Sequence, residues 1–428
     1  MNQKKLIIIG ATALVLIIAI FYVLSGRDDG SDSLFPDLSS PFGGPSRSGE
    51  GGFLSESEIQ KMVISGNPAG EYEAYRAYAR YPHESRPLTK KMKDLLEPWK
   101  VGPVRLPIIT NPDLATENSF KALMERMEKE GKSPEEIESA LKDQLRRTPG
   151  YLFDANRHTL TYGDELIVSL TVTDPSDDRV AVEILEATIQ GDRGFNPGSL
   201  GSIDFNDRGV GADSAADDKT YTASWKLPST EKKYWGNLDI VVKVKVPGVN
   251  DPVTLHHHFY SSPISPATFS DQFSERLENG SLVIDQIIDV KMECRFQIQA
   301  NLFSVELGEP THWVTVNKIL PPGRQTISYL FFGKIFRDGG YEGKFRLQDI
   351  RGTCENLPFP ARWLGDPSKM DQIMNAEPTK EPLMYYMPYT QATFVTQSYP
   401  LASFSDKEWD SEEKTRTLEE LKKQKEMQ

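Results

Sequence analysis

The stretch Leu6–Leu24, LIIIGATALVLIIAIFYVL, contains no charged side chain and constrains everything that follows it. As a helix rising about 1.5 Å per residue it is roughly 28 Å long, which matches the hydrocarbon core of a bilayer. A cleaved signal peptide is the alternative. The apolar core is longer than the roughly seven to fifteen residues of such peptides, and no small-x-small cleavage site precedes Arg27, so the expectation is an uncleaved transmembrane helix. Lys4 and Lys5 precede the run, whereas Asp28, Asp29 and Asp32 follow it with only Arg27 as a cation. This bias keeps residues 1–5 in the cytoplasm and places the rest outside. So short a cytoplasmic end cannot form a signalling module. The run also lacks a Gly-x-x-x-Gly pair, so it carries no written helix–helix contact.

With 428 residues, 38% hydrophobic and 10% aromatic, the external chain is long enough for two or three domains with real cores. Lys and Arg total 49 against 62 Asp and Glu, a net charge of −13 that argues against a nucleic-acid partner; the plainer reading of the charge is solubility. Cys294 and Cys354 are the only cysteines, and an oxidising compartment would favour a disulfide between them. Such a bridge requires Cα atoms within about 7 Å and stabilises by roughly 4 kcal/mol in the chain-entropy model. The alternative is two separate buried thiols.

Residues 25–52 are rich in Gly, Ser, Pro and Asp and read as a flexible linker whose ends average roughly 30 Å apart. Residues 53–147 read as a helical region. Ser55 and Glu58 offer a capping box at its start, and Tyr72, Tyr75, Tyr78 and Tyr81 recur as a packing stripe. The Pro-punctuated segment from Tyr81 is expected to run over a surface, with His83 exposed. A helical hairpin follows between Asn118 and Arg147, broken at Gly131 and restarted by Ser133, Pro134 and Glu136.

From Tyr151 the hydrophobic period changes to two. The stretches 160–174, 180–192, 220–227, 238–246 and 253–261 read as strands of a first sandwich, residues 148–262. A second set, 281–292, 295–305, 312–320, 325–332 and 341–352, defines another over residues 263–360. Residues 361–428 read as an irregular tail, with an aromatic group at Tyr385, Tyr386 and Tyr389 and a solvated charged helix at the end. The expected fold class is mainly β: two immunoglobulin-like β-sandwich domains with helical additions and an N-terminal transmembrane helix.

Catalytic signatures are sparse. His256 and His258 share one strand face while His257 points to the other, and two ligands do not make a zinc site. There is no His-Glu-x-x-His, no Gly-x-Ser-x-Gly elbow and no phosphate-binding glycine loop. The expectation is a non-enzyme with no cofactor, although a dispersed site on loops stays open.

Four stretches resemble bacterial envelope proteins of the choice-of-anchor X type: Tyr81–Thr89, Asp204–Thr222, Leu320–Gly352 and Ser398–Ser411. The resemblance implies β-sandwich exported modules without an established reaction, here in the bacterial inner membrane with the bulk of the chain periplasmic or extracellular. Similar modules carry a Gly- and Asp-rich turn before Tyr-Thr, matched by Gly209, Asp213, Asp218, Tyr221 and Thr222. Asp204, Asp207, Asp213, Asp217 and Asp218 are therefore the calcium candidates, since carboxylates in a tight loop suit a hard cation. Against calcium, Ala212, Asp217 and Lys219 stand where the pattern usually has glycine, and turn aspartates commonly bond their own backbone. The expected role is binding or scaffolding, with an envelope protein or polymer as partner. An exported hydrolase and a subunit of an envelope-spanning transport or secretion assembly are the alternatives.

Overall fold

The computed structural model describes residues 68–100, 102–108, 117–133, 136–137, 139–140, 148–192 and 194–426. The apolar run Leu6–Leu24, the linker 25–52 and the Ser55/Glu58 box lie outside them. Among the described residues no helix is long and apolar enough to cross a membrane. The chain is mainly β and divides into two compact units, one from Trp99 to Ser261 and one joining the segment ending at Pro98 to residues from Ser262 onward. The division at Ser261 falls within SSPISPAT, where Pro263 and Pro266 interrupt the alternation.

The segment before Pro98 holds α1 (Pro68–Tyr78), β1 (Ser85–Pro87) and α2 (Lys93–Leu96). It is no surface strap: Ser85, Arg86, Pro87 and Leu88 are buried, while His83 stays exposed. Sequence pattern missed this because β1 is an edge strand that pairs with a partner more than two hundred residues later, and its proline occupies the edge position where no ladder donor is needed.

In the first unit, β2 (Arg105–Pro107) and α3 (Glu117–Lys129) precede the strands. The helix is followed by Gly131 at φ 81°, a conformation open to glycine. Beyond it Ser133 and Glu136 form a reciprocal cap, Ser133 N donating to Glu136 Oε2 at 2.7 Å and Glu136 N to Ser133 Oγ at 3.2 Å. Then come β3 (Gly150–Ala155), β4 (Thr159–Thr161), β5 (Glu165–Thr173), β6 (Glu183–Gln190), β7 (Ser199–Ser202), β8 (Thr220–Lys226), β9 (Gly236–Lys245) and β10 (Val253–Ser262). They form sheets of order β4-β10-β9-β6-β7 and β2-β3-β5-β8. Leu166, Val168 and Leu170 from one sheet and Leu238, Ile240 and Val242 from the other share one buried core, making a two-layer sandwich.

The second unit continues with β11 (Ala267–Glu278), β12 (Ser281–Val290), β13 (Cys294–Ser304), β14 (Pro310–Leu320) and β15 (Gly323–Phe331). After these come α4 (Gly333–Gly339), β16 (Phe345–Glu355), α5 (Met370–Met374), β17 (Met384–Tyr386), β18 (Phe394–Val395) and α6 (Glu412–Glu426). One sheet is β11-β12-β15; the other runs β1-β14-β13-β16-β17, with β18 also on β16. The β11–β12 hairpin turns at Asn279 (φ 51°) and Gly280 (φ 73°), the paired left-handed residues that suit strand twist. Gln286 is fully buried mid-strand yet satisfied, accepting from Tyr329 Oη at 2.8 Å and donating to Ser270 O at 2.9 Å.

The tail is largely irregular between two short strands. Its strands pair onto β16, with Tyr385 buried opposite Cys354. The terminal helix is not wholly solvated: α6 packs on α1, where Lys425 lies 5.1 Å from the Tyr72 ring centre and 3.5 Å from Glu73 Oε1.

Candidate functional site

In the acidic loop between β7 and β8, three carboxylates accept backbone hydrogen bonds. Asp213 is buried and accepts from Gly209 N at 2.6 Å. Asp207 accepts from Asp218 N at 3.0 Å and Lys219 N at 2.9 Å, and Asp218 accepts from Thr220 N at 2.8 Å. Asp204 points to Arg208, 3.9 Å away, on an exposed side chain. Asp217 and Lys219 have φ of 58° and 63°, the conformations for which glycine is the easiest occupant.

Cys294 and Cys354 are paired, with Cα atoms 5.8 Å apart on the adjacent strands β13 and β16.

The other three resemblance stretches meet in the second unit around α4. Asp338 on this helix accepts from Tyr81 Oη at 2.8 Å, Arg80 Nη2 at 3.0 Å and Lys334 Nζ at 3.2 Å. Trp409 N donates to Arg80 O at 3.0 Å, and Glu408 lies 3.6 Å from Arg80 Nε. Phe404 stacks on Phe336 with centroids 3.9 Å apart. Arg86 is buried over the Tyr78 ring at 3.9 Å and donates to the Tyr78 and Tyr81 carbonyls; burial lowers its pKa to about 10. Every group here is engaged with another part of the same unit, so the cluster locks the fold.

A more accessible group lies on the outer face of the first unit's five-stranded sheet. Strand alternation turns His256 and His258 outward on β10, and the register sets His258 directly opposite Asp239 of β9. His256 Nδ1 is 2.7 Å from Asp239 Oδ2, and His258 Nδ1 is 3.4 Å from Oδ1. The two rings stack at 6.3 Å. Asp239 Oδ1 is buried and accepts no hydrogen bond. His257 faces inward against Phe153, and burial, aided by the charge of His258, lowers its pKa to about 4. Among the described residues no group of three or more His, Cys, Asp or Glu is arranged to hold a metal ion as the side chains stand.

Beside this group runs an open groove of about 610 Å³ lined by Leu106, Ile108, Tyr151, Thr254 and Leu255. Tyr151 links the two: burial raises its pKa, a hydrogen bond with the His256 backbone opposes this, and the Asp239 charge adds to it. Sequence reasoning singled out the histidine pair but missed Asp239, whose place depends on strand register.

No protein-family model matches the chain, and no curated protein matches it. Among solved structures it is similar to a DUF4785 family protein from Legionella pneumophila, at 15% identity and TM-score 0.36, over 48% of this chain and 53% of that one. It is also similar to Escherichia coli alpha-2-macroglobulin. The elastase-activated form matches at 12% identity and TM-score 0.21, over 50% of this chain and 19% of that one. The native form matches at 10% identity and TM-score 0.26, over 57% and 14%. The chain thus spans about half the length of the first relative and less than a fifth of the second. Likeness at this level assigns no function.

Proposed function

We propose that this chain is a single-pass envelope protein of the choice-of-anchor X type, held in the inner membrane by Leu6–Leu24, whose immunoglobulin-like sandwiches bind or scaffold another envelope component. The observation that carries the binding reading is the stretch between β16 and β17. There α5 buries none of its residues, and Met370, Met374 and Leu383 are 55%, 76% and 67% exposed. Flexible, polarizable methionines suit an adaptable protein contact. The hydrolase alternative has its nearest footing in the His256–Asp239 pair, on an open sheet face with one carboxylate.

Photocrosslinking side chains placed at Met374, Leu383 and, for comparison, Tyr162 in the full-length membrane protein test the reading. A discrete protein adduct at Met374 or Leu383, absent at Tyr162 and lost from a Met374→Ser/Leu383→Ser chain carrying the crosslinker at Met370, is expected. Adducts that are equal at all three positions, or unchanged by the double substitution, would overturn it.

A further inference from the structure

We propose that Met370 and Met374 form a methionine-oxidation site that switches off the exposed surface between β16 and β17; the switch rests on the contact reading above, whereas the site itself does not. Both cysteines of the chain are paired, so no free thiol competes with thioether sulfur for a two-electron oxidant. Exposure then separates the methionines. Met370 and Met374 are 55% and 76% exposed, against 0% for Met92 and 2% for Met387 in the core. They stand four residues apart on α5, so their side chains share one side of a helix that buries none of its residues.

The oxidant is a peroxide. The methionine sulfur attacks one oxygen of hydrogen peroxide and the O–O bond breaks; the sulfur keeps that oxygen and gives up two electrons, and the other oxygen leaves as water with the proton of the attacked hydroxyl. The step takes nothing from the protein besides the sulfur, so accessibility sets its rate. Its product is a polar sulfoxide where a flexible apolar side chain stood. A partner packed on α5 and the 67%-exposed Leu383 then has to bury two strong acceptors that the thioethers did not present. Methionine sulfoxide reductases restore the thioether, which makes the switch reversible.

The test treats the full-length membrane protein, carrying a photocrosslinking side chain at Leu383, with hydrogen peroxide. Sulfoxides are mapped over time by peptide mass spectrometry, and the adduct is read before treatment, after it, and after reduction by methionine sulfoxide reductases. Met370 and Met374 are expected to oxidise at least about tenfold faster than Met92 and Met387, and the adduct to fall at least about fivefold and return on reduction. A Met370→Leu/Met374→Leu chain, compared with its own untreated level, should show no change in adduct on oxidation. Equal oxidation rates at exposed and buried methionines would overturn the site. Full sulfoxide conversion with an unchanged adduct, or an equal loss in the doubly substituted chain, would overturn the switch. An untreated chain that gives no adduct refutes the contact reading and the switch with it, while the oxidation rates still decide the site.

Discussion

Lowering the pH should destabilise the second unit through His312. This residue sits on β14, fully buried, with its ring 4.1 Å from that of Phe336 and 5.7 Å from that of Phe331. Its Nε2 is 3.3 Å from the Phe332 carbonyl, and Nδ1 is 3.0 Å from Thr311 Oγ1, whose one proton is also directed at Leu302 O. A neutral ring with the proton on Nε2 fits this setting, and burial lowers the pKa to about 3, outweighing the Phe332 carbonyl that raises it. In the unfolded chain the ring titrates near 6.5. Below that pH the unfolded state takes up a proton that the folded state refuses until about pH 3, so stability falls with pH across that window and is unaffected above it. At about 1.36 kcal/mol per unit, the contribution lost between pH 7.5 and 4.5 is about 3 kcal/mol. Urea unfolding of the parent and of His312→Gln at both pH values isolates it, since carboxylates titrate in both chains. The variant should be less stable at pH 7.5, with the gap narrowing by about 3 kcal/mol at pH 4.5. A gap that stays constant with pH would refute the reasoning.

Asp338→Asn should cost about 3 kcal/mol, because Lys334 and Arg80 keep their charges in a largely buried site; a urea-midpoint change worth under about 1 kcal/mol would show that the cluster contributes little. Gly333→Ala should abolish folding of the second unit, measured by circular dichroism and proteolysis, since a Cβ there overlaps the Gly280 carbonyl oxygen, a backbone atom that cannot turn aside. Replacing both Cys294 and Cys354 by Ser should remove about 4 kcal/mol for a sequence separation of 60 residues, read as a lower melting temperature that reductant no longer affects.

Alternation made the strands legible, because Leu166, Val168, Leu170 and Val172 are all buried while Glu165 and Ile167 are exposed, as a half-buried strand requires. Partner choice was not legible. β13 pairs with both β14 and β16, and nothing in its local pattern distinguishes these neighbours from others. The helix α4 was hidden for a different reason. LFFGKIF is apolar at both the strand and the helix period, and the outcome is decided by Gly333 against Gly280 and by Gly340, whose φ of 64° closes the helix. The region 53–147 looked continuous because composition cannot report that its described part up to Pro98 belongs with one unit and the rest with the other.

The candidate site shows the same boundary between local and non-local information. That His256 and His258 share a face follows from the strand period alone; that Asp239 lies opposite His258, within reach of both rings, follows only from the β9–β10 register. A slip of one residue would bring Leu238 or Ile240 opposite His258 and move the carboxylate out of reach. Such a slip would also turn Leu238, Ile240 and Val242 out of the sandwich, where each is now fully buried. Exposing three such side chains costs about 1.5–3 kcal/mol apiece, far more than any contact between the histidines and the aspartate supplies. The core of the first unit therefore holds His256, His258 and Asp239 in this register.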